Sequence, residues 1–402
     1  MTLHKNLLDA VKQALTAVFF ENRFADHVID FVIKSNKKWG GRDRKFIAET
    51  TYTIVRNWRM LHAINGTYER QSPEQLNKIL AIYFTLAGES VPEWLSAAPL
   101  NVELLQQKRE ELLKQRVVRE SIPDWLDEFG LAELGEQWEK ELPVLNQKAD
   151  VIIRANTLRI TKLELIDILE SENVHVNEIP GYTNALRLMN KSNLFMTQAF
   201  KDGLFEIQDA SSQLVAEALD VEPGMRVVDA CAGSGGKALH IGSLMKNRGK
   251  IIALDITDRR LGELRQRAKR DGIEIVETRI IDSTKVIKRL FDSADRLLLD
   301  VPCSGSGVLR RHPDAKWKLS LTSIETIRAT QAEIIAKYSK IVKPGGIMVY
   351  STCSIFPSEN EQQVEKFLLE NPDFELIEDK KVSPAESGFD GFYIAKLARK
   401  QN

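Results

Sequence analysis

The sequence predicts a multidomain fold of α and α/β parts: an all-helical N-terminal domain over residues 1–105, a linker helix over 106–120, a small α+β module over 121–205 and a doubly wound α/β domain over 206–402. Three observations carry this. Apolar residues recur at helical spacing from Leu3 to about Leu95. Short strand-like runs with a helix between them follow Val151. After Glu206, strands alternate with helices, the pattern of a largely parallel sheet covered on both faces. At 402 residues and 43% hydrophobic side chains, the chain is long enough for several cores.

In the first segment Leu3, Leu7, Val11, Leu15 and Val18 share one helix face, and Ile47, Ile54, Val55, Trp58 and Leu61 mark a later helix. Lys34, Lys37, Lys38, Arg42, Arg44, Lys45, Arg56 and Arg59 cluster here with Trp39 and Trp58, making this the most basic stretch of the chain. It reads either as a solvated helix face or as an RNA contact surface. The charged run from Gln106 to Glu120 is the linker, ending before Pro123. In the middle module Val151 to Arg154, Ala185 to Leu188 and Gly203 to Phe205 read as strands and Leu163 to Ser171 as a helix. In the last segment the strands are Arg226 to Ala230, Lys250 to Asp255, Glu274 to Ile280, Arg296 to Asp300 and Gly346 to Ser351. Phe374 to Ile377 and Phe392 to Leu397 have no crossover helix between them and read as an antiparallel pair at the sheet edge.

Composition narrows the function. With 56 Lys+Arg against 57 Asp+Glu the formal charge is -1, so any nucleic-acid surface must be local. No apolar stretch is long enough to span a bilayer, and a cytoplasmic, membrane-free protein is expected. Cys231, Cys303 and Cys353 lie far apart without a CxxC pair or a neighbouring His, so neither a disulfide framework nor a metal site is expected. Nothing calls for more than a monomer.

The first chemical motif is Val227-Val228-Asp229-Ala230-Cys231-Ala232-Gly233-Ser234-Gly235-Gly236-Lys237, a strand running into a small-residue loop and then a helix from about Ala238. Small residues let backbone approach a ligand, and a helix N-terminus offers free N–H groups. The spacing is out of register for G-x-G-x-x-G, and a P-loop needs Gly where Cys231 stands and Ser or Thr where Ala238 stands. Asp255 closes the second strand, where a carboxylate can accept ribose hydroxyls, and Asp282 closes the third, toward an adenine amino group. Alone, each acid reads as a cap; together beside a glycine loop they indicate an adenosyl cofactor, and Arg260 is counted with them.

The fourth strand ends Leu299-Asp300-Val301-Pro302-Cys303-Ser304-Gly305-Ser306-Gly307 and the fifth Tyr350-Ser351-Thr352-Cys353-Ser354. Ligands of open α/β sheets bind at the carboxyl ends of the strands, so both thiols should converge on one cleft. A lone cysteine is usually a buried filler, which fits Cys231; two at strand ends before small polar residues do not read so.

These two motifs resemble the RNA cytosine-5 methyltransferases of the RsmB/Nop2/Sun family. The resemblance covers residues 206–399 well; the middle module is similar to that family's small α+β extension, and Asp43-Arg44-Lys45-Phe46-Ile47-Ala48-Glu49 with Tyr52-Thr53-Ile54-Val55-Arg56 is similar to the NusB-like RNA-binding domain of bacterial members. The family's loop commonly reads Cys-Ala-Ala-Pro-Gly-Gly-Lys, so Ser234 stands here for a proline.

The resemblance implies a Rossmann-like class I methyltransferase fold using S-adenosylmethionine, held by Cys231, Ala232, Gly233, Ser234, Gly235, Gly236, Lys237, Asp255, Arg260, Asp282 and Asp300. It implies RNA as substrate, with small-subunit ribosomal RNA first and transfer RNA next. Carbon 5 of cytosine is a poor nucleophile, so a thiolate must first add to carbon 6, and the carbon-5 proton must leave afterwards. The resemblance makes Cys353 the nucleophile and Cys303 the group that aids release, with Asp300 and Lys237 on the base. The reverse order of cysteines is that of DNA cytosine-5 methyltransferases and stays open on spacing. The base must be unstacked to react, and Lys37, Lys38, Arg42, Arg44, Arg56, Arg310 and Arg311 are the expected RNA contacts, with Lys316, Trp317 and Lys318 alongside. An exocyclic-amine methyltransferase would carry Asn/Asp-Pro-Pro-Tyr/Phe at the fourth strand; a non-catalytic RNA-binding assembly factor would not need the intact Cys303, Cys353, Asp300 and Lys237.

Overall fold

The computed structural model describes residues 3–96 and 99–401. Helices α1 (Lys5–Phe19), α2 (Ala25–Ser35), α3 (Gly41–Arg56), α4 (Trp58–Asn65), α5 (Leu76–Leu86), α6 (Val102–Leu112), α7 (Arg116–Arg119), α8 (Asp124–Leu134) and α9 (Gln137–Leu145) come first. Then follow β1 (Ile152–Ala155), α10 (Lys162–Ser171), β2 (Val176–Glu178), β3 (Ala185–Leu188), α11 (Gln198–Lys201), β4 (Phe205–Ile207) and α12 (Ala210–Glu217). The last stretch holds β5 (Arg226–Asp229), α13 (Gly236–Leu244), β6 (Lys250–Asp255), α14 (Asp258–Asp271), β7 (Val276–Ile280), α15 (Thr284–Lys288) and β8 (Ala294–Asp300). It continues with α16 (Ala315–Lys318), α17 (Leu321–Tyr338), β9 (Val342–Thr352), α18 (Glu361–Glu370), β10 (Phe374–Val382), α19 (Pro384–Ser387) and β11 (Phe392–Arg399).

The chain forms two compact units, one of residues 1–147 with 309–321 and one of residues 148–308 with 322–402. In the first, the apolar faces of α1 to α5 close around Leu8, Val11, Leu15, Ile47, Ile54 and Trp58. Trp58 stacks on Phe19 and Trp39 is 9% exposed, so both tryptophans of the basic cluster serve the core. Residues 121–147 belong to this unit, because buried Arg59 donates to the Ile122 carbonyl and to Asp124, and Arg116 reaches Asp127 with two hydrogen bonds. Trp138 closes the corner, its indole N–H on Asp127 and its ring over Gly130, where any Cβ would collide.

The 309–321 segment works as a set of helix caps. The Asp314 carboxylate accepts from Ala25 N at the start of α2, and Lys318 Nζ donates to Val18 O near the end of α1. Lys316 Nζ and the Trp317 indole donate to Arg56 O and Val55 O at the end of α3. Anion at an N-terminus and cations at C-termini satisfy orphan backbone groups and the helix dipoles together. This corrects the reading of Lys316, Trp317 and Lys318 as RNA contacts. Arg310 is 6% exposed, and Arg56 donates to the Arg310 carbonyl. Burial beside Arg310 lowers the Arg56 guanidinium to about 10. Lys37, Lys38, Arg42 and Arg44 are exposed on and before α3.

In the second unit the described strands form two sheets. The smaller is antiparallel, in order β2-β3-β1-β4, with Ile153, Leu165, Leu169, Leu186 and Phe205 beneath it. The larger has order β10-β11-β9-β8-β5-β6-β7. Its five strands β5 to β9 run parallel, and β11 pairs antiparallel with β9 and β10. The edge pair expected from the sequence is present. Counted within the sheet the order is 3-2-1-4-5-7-6, so the direction of winding reverses between β5 and β8 and opens a crevice at their carboxyl ends.

Candidate active site

That crevice is a cleft of about 1180 Å³ within the second unit. Its walls are the loop 231–237, the strand ends carrying Asp229, Asp255 and Asp300, and one face of α17. Gly235 adopts φ +90, and a Cβ there would lie 2.4 Å from Leu264 Cγ, so the turn into α13 requires glycine.

Ser234 is held from behind. Arg267 donates to the Ser234 carbonyl at 2.8 Å and to its hydroxyl at 3.1 Å, while Glu206 holds the same guanidinium with both carboxylate oxygens. Arg154 donates to the Gly236 carbonyl. Two arginines thus fix the loop in which a proline is expected.

Asp255 accepts from Gly233 N at 3.0 Å and Thr257 N at 2.7 Å, which ties the loop to the end of β6. Beside it Ile256 lines the cleft with an apolar side chain that is 74% exposed, and Arg260 lies on the exposed rim. Asp282 is exposed and off the wall: Ile281 takes the inward position, and its neighbour turns outward. Its oxygen accepts from the Ser283 hydroxyl instead.

The sequence reading left out Asp229 as a site residue. It is 1% exposed, lines the cleft, and neither carboxylate oxygen has a hydrogen-bond partner. Burial, and next the nearby Asp300 charge, push its carboxyl up to about 7. Cys231 lines the same wall, its thiol pushed well up by burial and by Asp229.

Register explains the rest. β8 and β9 pair Asp300 with Ser351, so the segments that follow, each carrying a cysteine three or two residues on, run side by side. The Cys303 and Cys353 sulfurs lie 3.3 Å apart, and Gly307 N donates to the Cys353 carbonyl. Cys303 lines the cleft. Asp300 accepts from Lys237 Nζ at 2.6 Å and from the Ser351 hydroxyl at 3.0 Å. Burial works against the Lys237 cation, but Asp300 outweighs it and the ammonium is held above its usual range. The hydrogen bond with Cys353, burial and the Cys353 charge push Cys303 well up. Lys237, Asp300 and Cys303 therefore line one cleft, and Cys353 adjoins it through its contact with Cys303. Among the described residues no group of three or more His, Cys, Asp or Glu is placed to hold a metal, and no helix is long and apolar enough to cross a membrane.

Residues 216–398 match the family described as 16S rRNA methyltransferase RsmB/F, and residues 122–194 match its ferredoxin-like domain. The ribosomal RNA small subunit methyltransferase B of Yersinia enterocolitica is 33% identical over 306 residues, covering 73% of this chain and 71% of the relative. A methyltransferase homolog protein from Pyrococcus horikoshii is 28% identical, with a TM-score of 0.64 over 72% of this chain and 99% of that one. The solved structure of PH0851, at 24% identity, has the same fold over 99% of both chains with a TM-score of 0.83. The chain belongs to the RsmB/F family of methyltransferases.

Proposed function

We propose that the protein transfers a methyl group from S-adenosylmethionine to carbon 5 of a cytosine in small-subunit ribosomal RNA, through a covalent bond between Cys353 and carbon 6. The observation that carries this is the pair of thiols in contact beside the Lys237–Asp300 ion pair at the end of the cleft. The substrate follows the relatives' names.

The residues present fit the cofactor. Asp229 presents an unpartnered buried carboxylate, which suits the cationic amino-acid end. Asp255, anchored by two backbone donors, keeps lone pairs for ribose hydroxyls. Ile256 offers an apolar face for the adenine. When bound, S-adenosylmethionine supplies an electrophilic methyl on a sulfonium centre.

The chain's own groups then divide the work. Cys303 keeps its proton and lends it as a hydrogen bond to the sulfur of Cys353, the attacking group. The thiolate forms the S–C6 bond, the ring electrons shift through carbon 5 onto the ring nitrogen, and the Lys237 ammonium held by Asp300 lends that nitrogen a proton and takes it back once carbon 5 is methylated. Once carbon 5 carries the methyl group, Cys303 gives its proton to the departing Cys353 sulfur and takes the carbon-5 proton in its place. The electrons restore the double bond and expel the Cys353 sulfur. Net, one proton is released for each methyl moved.

The test incubates protein with labelled cofactor and RNA and digests the product to nucleosides. 5-Methylcytidine in small-subunit ribosomal RNA is expected; its absence where cofactor binds overturns the reading, and label confined to transfer RNA corrects the substrate. Cys353→Ala should abolish transfer, whereas Cys303→Ala should accumulate a denaturant-resistant protein–RNA complex. The opposite pattern would exchange the roles of the two cysteines.

A further inference from the structure

Behind the two cysteines, away from the cleft wall, sits Glu359, which is fully buried. Among the described residues it makes no ion pair, yet it accepts four hydrogen bonds. Oε1 takes the Ser304 hydroxyl at 2.5 Å and the Ser354 hydroxyl at 2.6 Å. Oε2 takes Ser304 N at 2.7 Å and Gln331 Nε2 at 3.2 Å.

Ser304 directly follows Cys303, and Ser354 directly follows Cys353. A single carboxylate thus ties the backbone behind one thiol to the backbone behind the other. Gln331 adds the third element: the same amide that meets Glu359 donates to the Pro302 carbonyl, fastening the Pro-Cys turn to α17. Ser306 N and Phe356 N donate to the Ser304 and Ser354 hydroxyl oxygens, and Ile355 N donates to Ser306 Oγ, which in turn meets Ser354 Oγ at 2.9 Å. Each of the two serine oxygens accepts a backbone N–H, and because a carboxylate only accepts, each hydroxyl gives its proton to Glu359.

We infer that Glu359 is the positioning residue of the thiol pair: its carboxylate sets the contact between Cys303 and Cys353 by holding Ser304 and Ser354 to one point. This rests on the cysteine chemistry proposed above only for its kinetic consequence; the placement of the sulfurs is a separate matter. A second effect follows from the charge. The buried Glu359 carboxylate adds to the groups that push the Cys303 thiol up, with the Cys353 contact and burial ahead of it. The residue therefore favours a protonated Cys303 behind an attacking Cys353.

The test uses the full chain carrying Glu359→Gln, which keeps the size but puts an amide donor among donors, and Ser354→Ala, which removes one tie. The first readout needs neither RNA nor cofactor: bridging of the thiols by phenylarsine oxide, in which two S–H bonds and one As=O give two As–S bonds and water, located by peptide mapping. The second is kcat, KM for RNA and cofactor affinity. Glu359→Gln should slow bridging and lower kcat by roughly a hundredfold, as a displacement of about 1 Å would. Cofactor affinity should not change, and Ser354→Ala should show the same pattern more weakly. Unchanged bridging and turnover in a folded Glu359→Gln protein would overturn the inference. So would a parallel fall of kcat, cofactor affinity and melting temperature, which is what a general packing role predicts. If the unmodified protein makes no 5-methylcytidine while Glu359→Gln still slows bridging, the positioning role stands and the proposed reaction falls.

Discussion

Burying a carboxylate is costly, and Asp229 is buried with little beyond Lys237 and the Cys231 backbone to offset it. Its carboxyl is raised from 3.8 to about 7, so the folded chain binds a proton that the unfolded chain has lost across that window. Stability from this group is therefore fully present below pH 4 and is lost as pH rises through about 7. Asp229→Asn should remove that loss, raising stability above neutral pH by roughly 2–4 kcal/mol in thermal melts without cofactor. A cationic ligand reverses the preference, so cofactor affinity should climb with pH through 7 and become flat in Asp229→Asn; a calorimetric titration that climbs equally in both would remove Asp229 from the cofactor site. Asp271, also raised to about 7 by burial and Glu206, contributes to both proteins and cancels in the difference. Residues of this kind mark the limit of sequence reading. Cys303, Cys353 and Asp300 were legible because each sits within three residues of a strand end, and Lys237 because it closes the small-residue loop at the start of α13. Glu359 and Arg267 were not, since each acts only through partners brought to it by the fold, and Asp282, expected to close a strand, lies exposed two residues beyond the end of β7.

At the scale of elements, strands with apolar runs were readable to within a few residues, and the unbridged pair at the sheet edge followed from the missing crossover. The charged run at 314–318 was not, because the helix ends it caps lie about three hundred residues earlier in the chain. Charge alone does not say whether a lysine faces phosphate or a helix terminus. Lys316 shows the difference: burial, then Arg56, hold its ammonium well below the ordinary lysine range, and its donors go to Arg56 O and Asn146 Oδ1. A fragment of residues 148–402 would strip these groups of every one of those partners. Such a fragment should be poorly soluble and should melt below the full chain, while replacing 309–321 by a short Gly/Ser linker should recover its solubility. Equal solubility with and without the replacement would mean that the segment does not depend on the helical unit.

For the molecule as a whole, the net charge of -1 means that binding a polyanion depends on where the positive charges are exposed, not on their number. Arg56, Arg310, Lys316 and Lys318 are committed to internal partners or burial, which leaves the exposed Lys37, Lys38, Arg42 and Arg44 as the local patch expected to meet RNA phosphates. Each phosphate neutralised contributes about 0.7 to 0.9 to the slope of log affinity against log salt concentration. The triple variant Lys37→Ala, Lys38→Ala, Arg42→Ala should therefore reduce that slope by roughly 2–3 for ribosomal RNA. Cofactor affinity should stay the same, because the cleft is built from the other unit. Melting temperature should also stay the same, because the substituted side chains are exposed. Fluorescence titrations at several salt concentrations separate the alternatives: an unchanged slope would make this patch a solvated helix face and move the RNA surface to another part of the chain, whereas a reduced slope with unchanged cofactor binding would assign substrate capture and methyl transfer to different units.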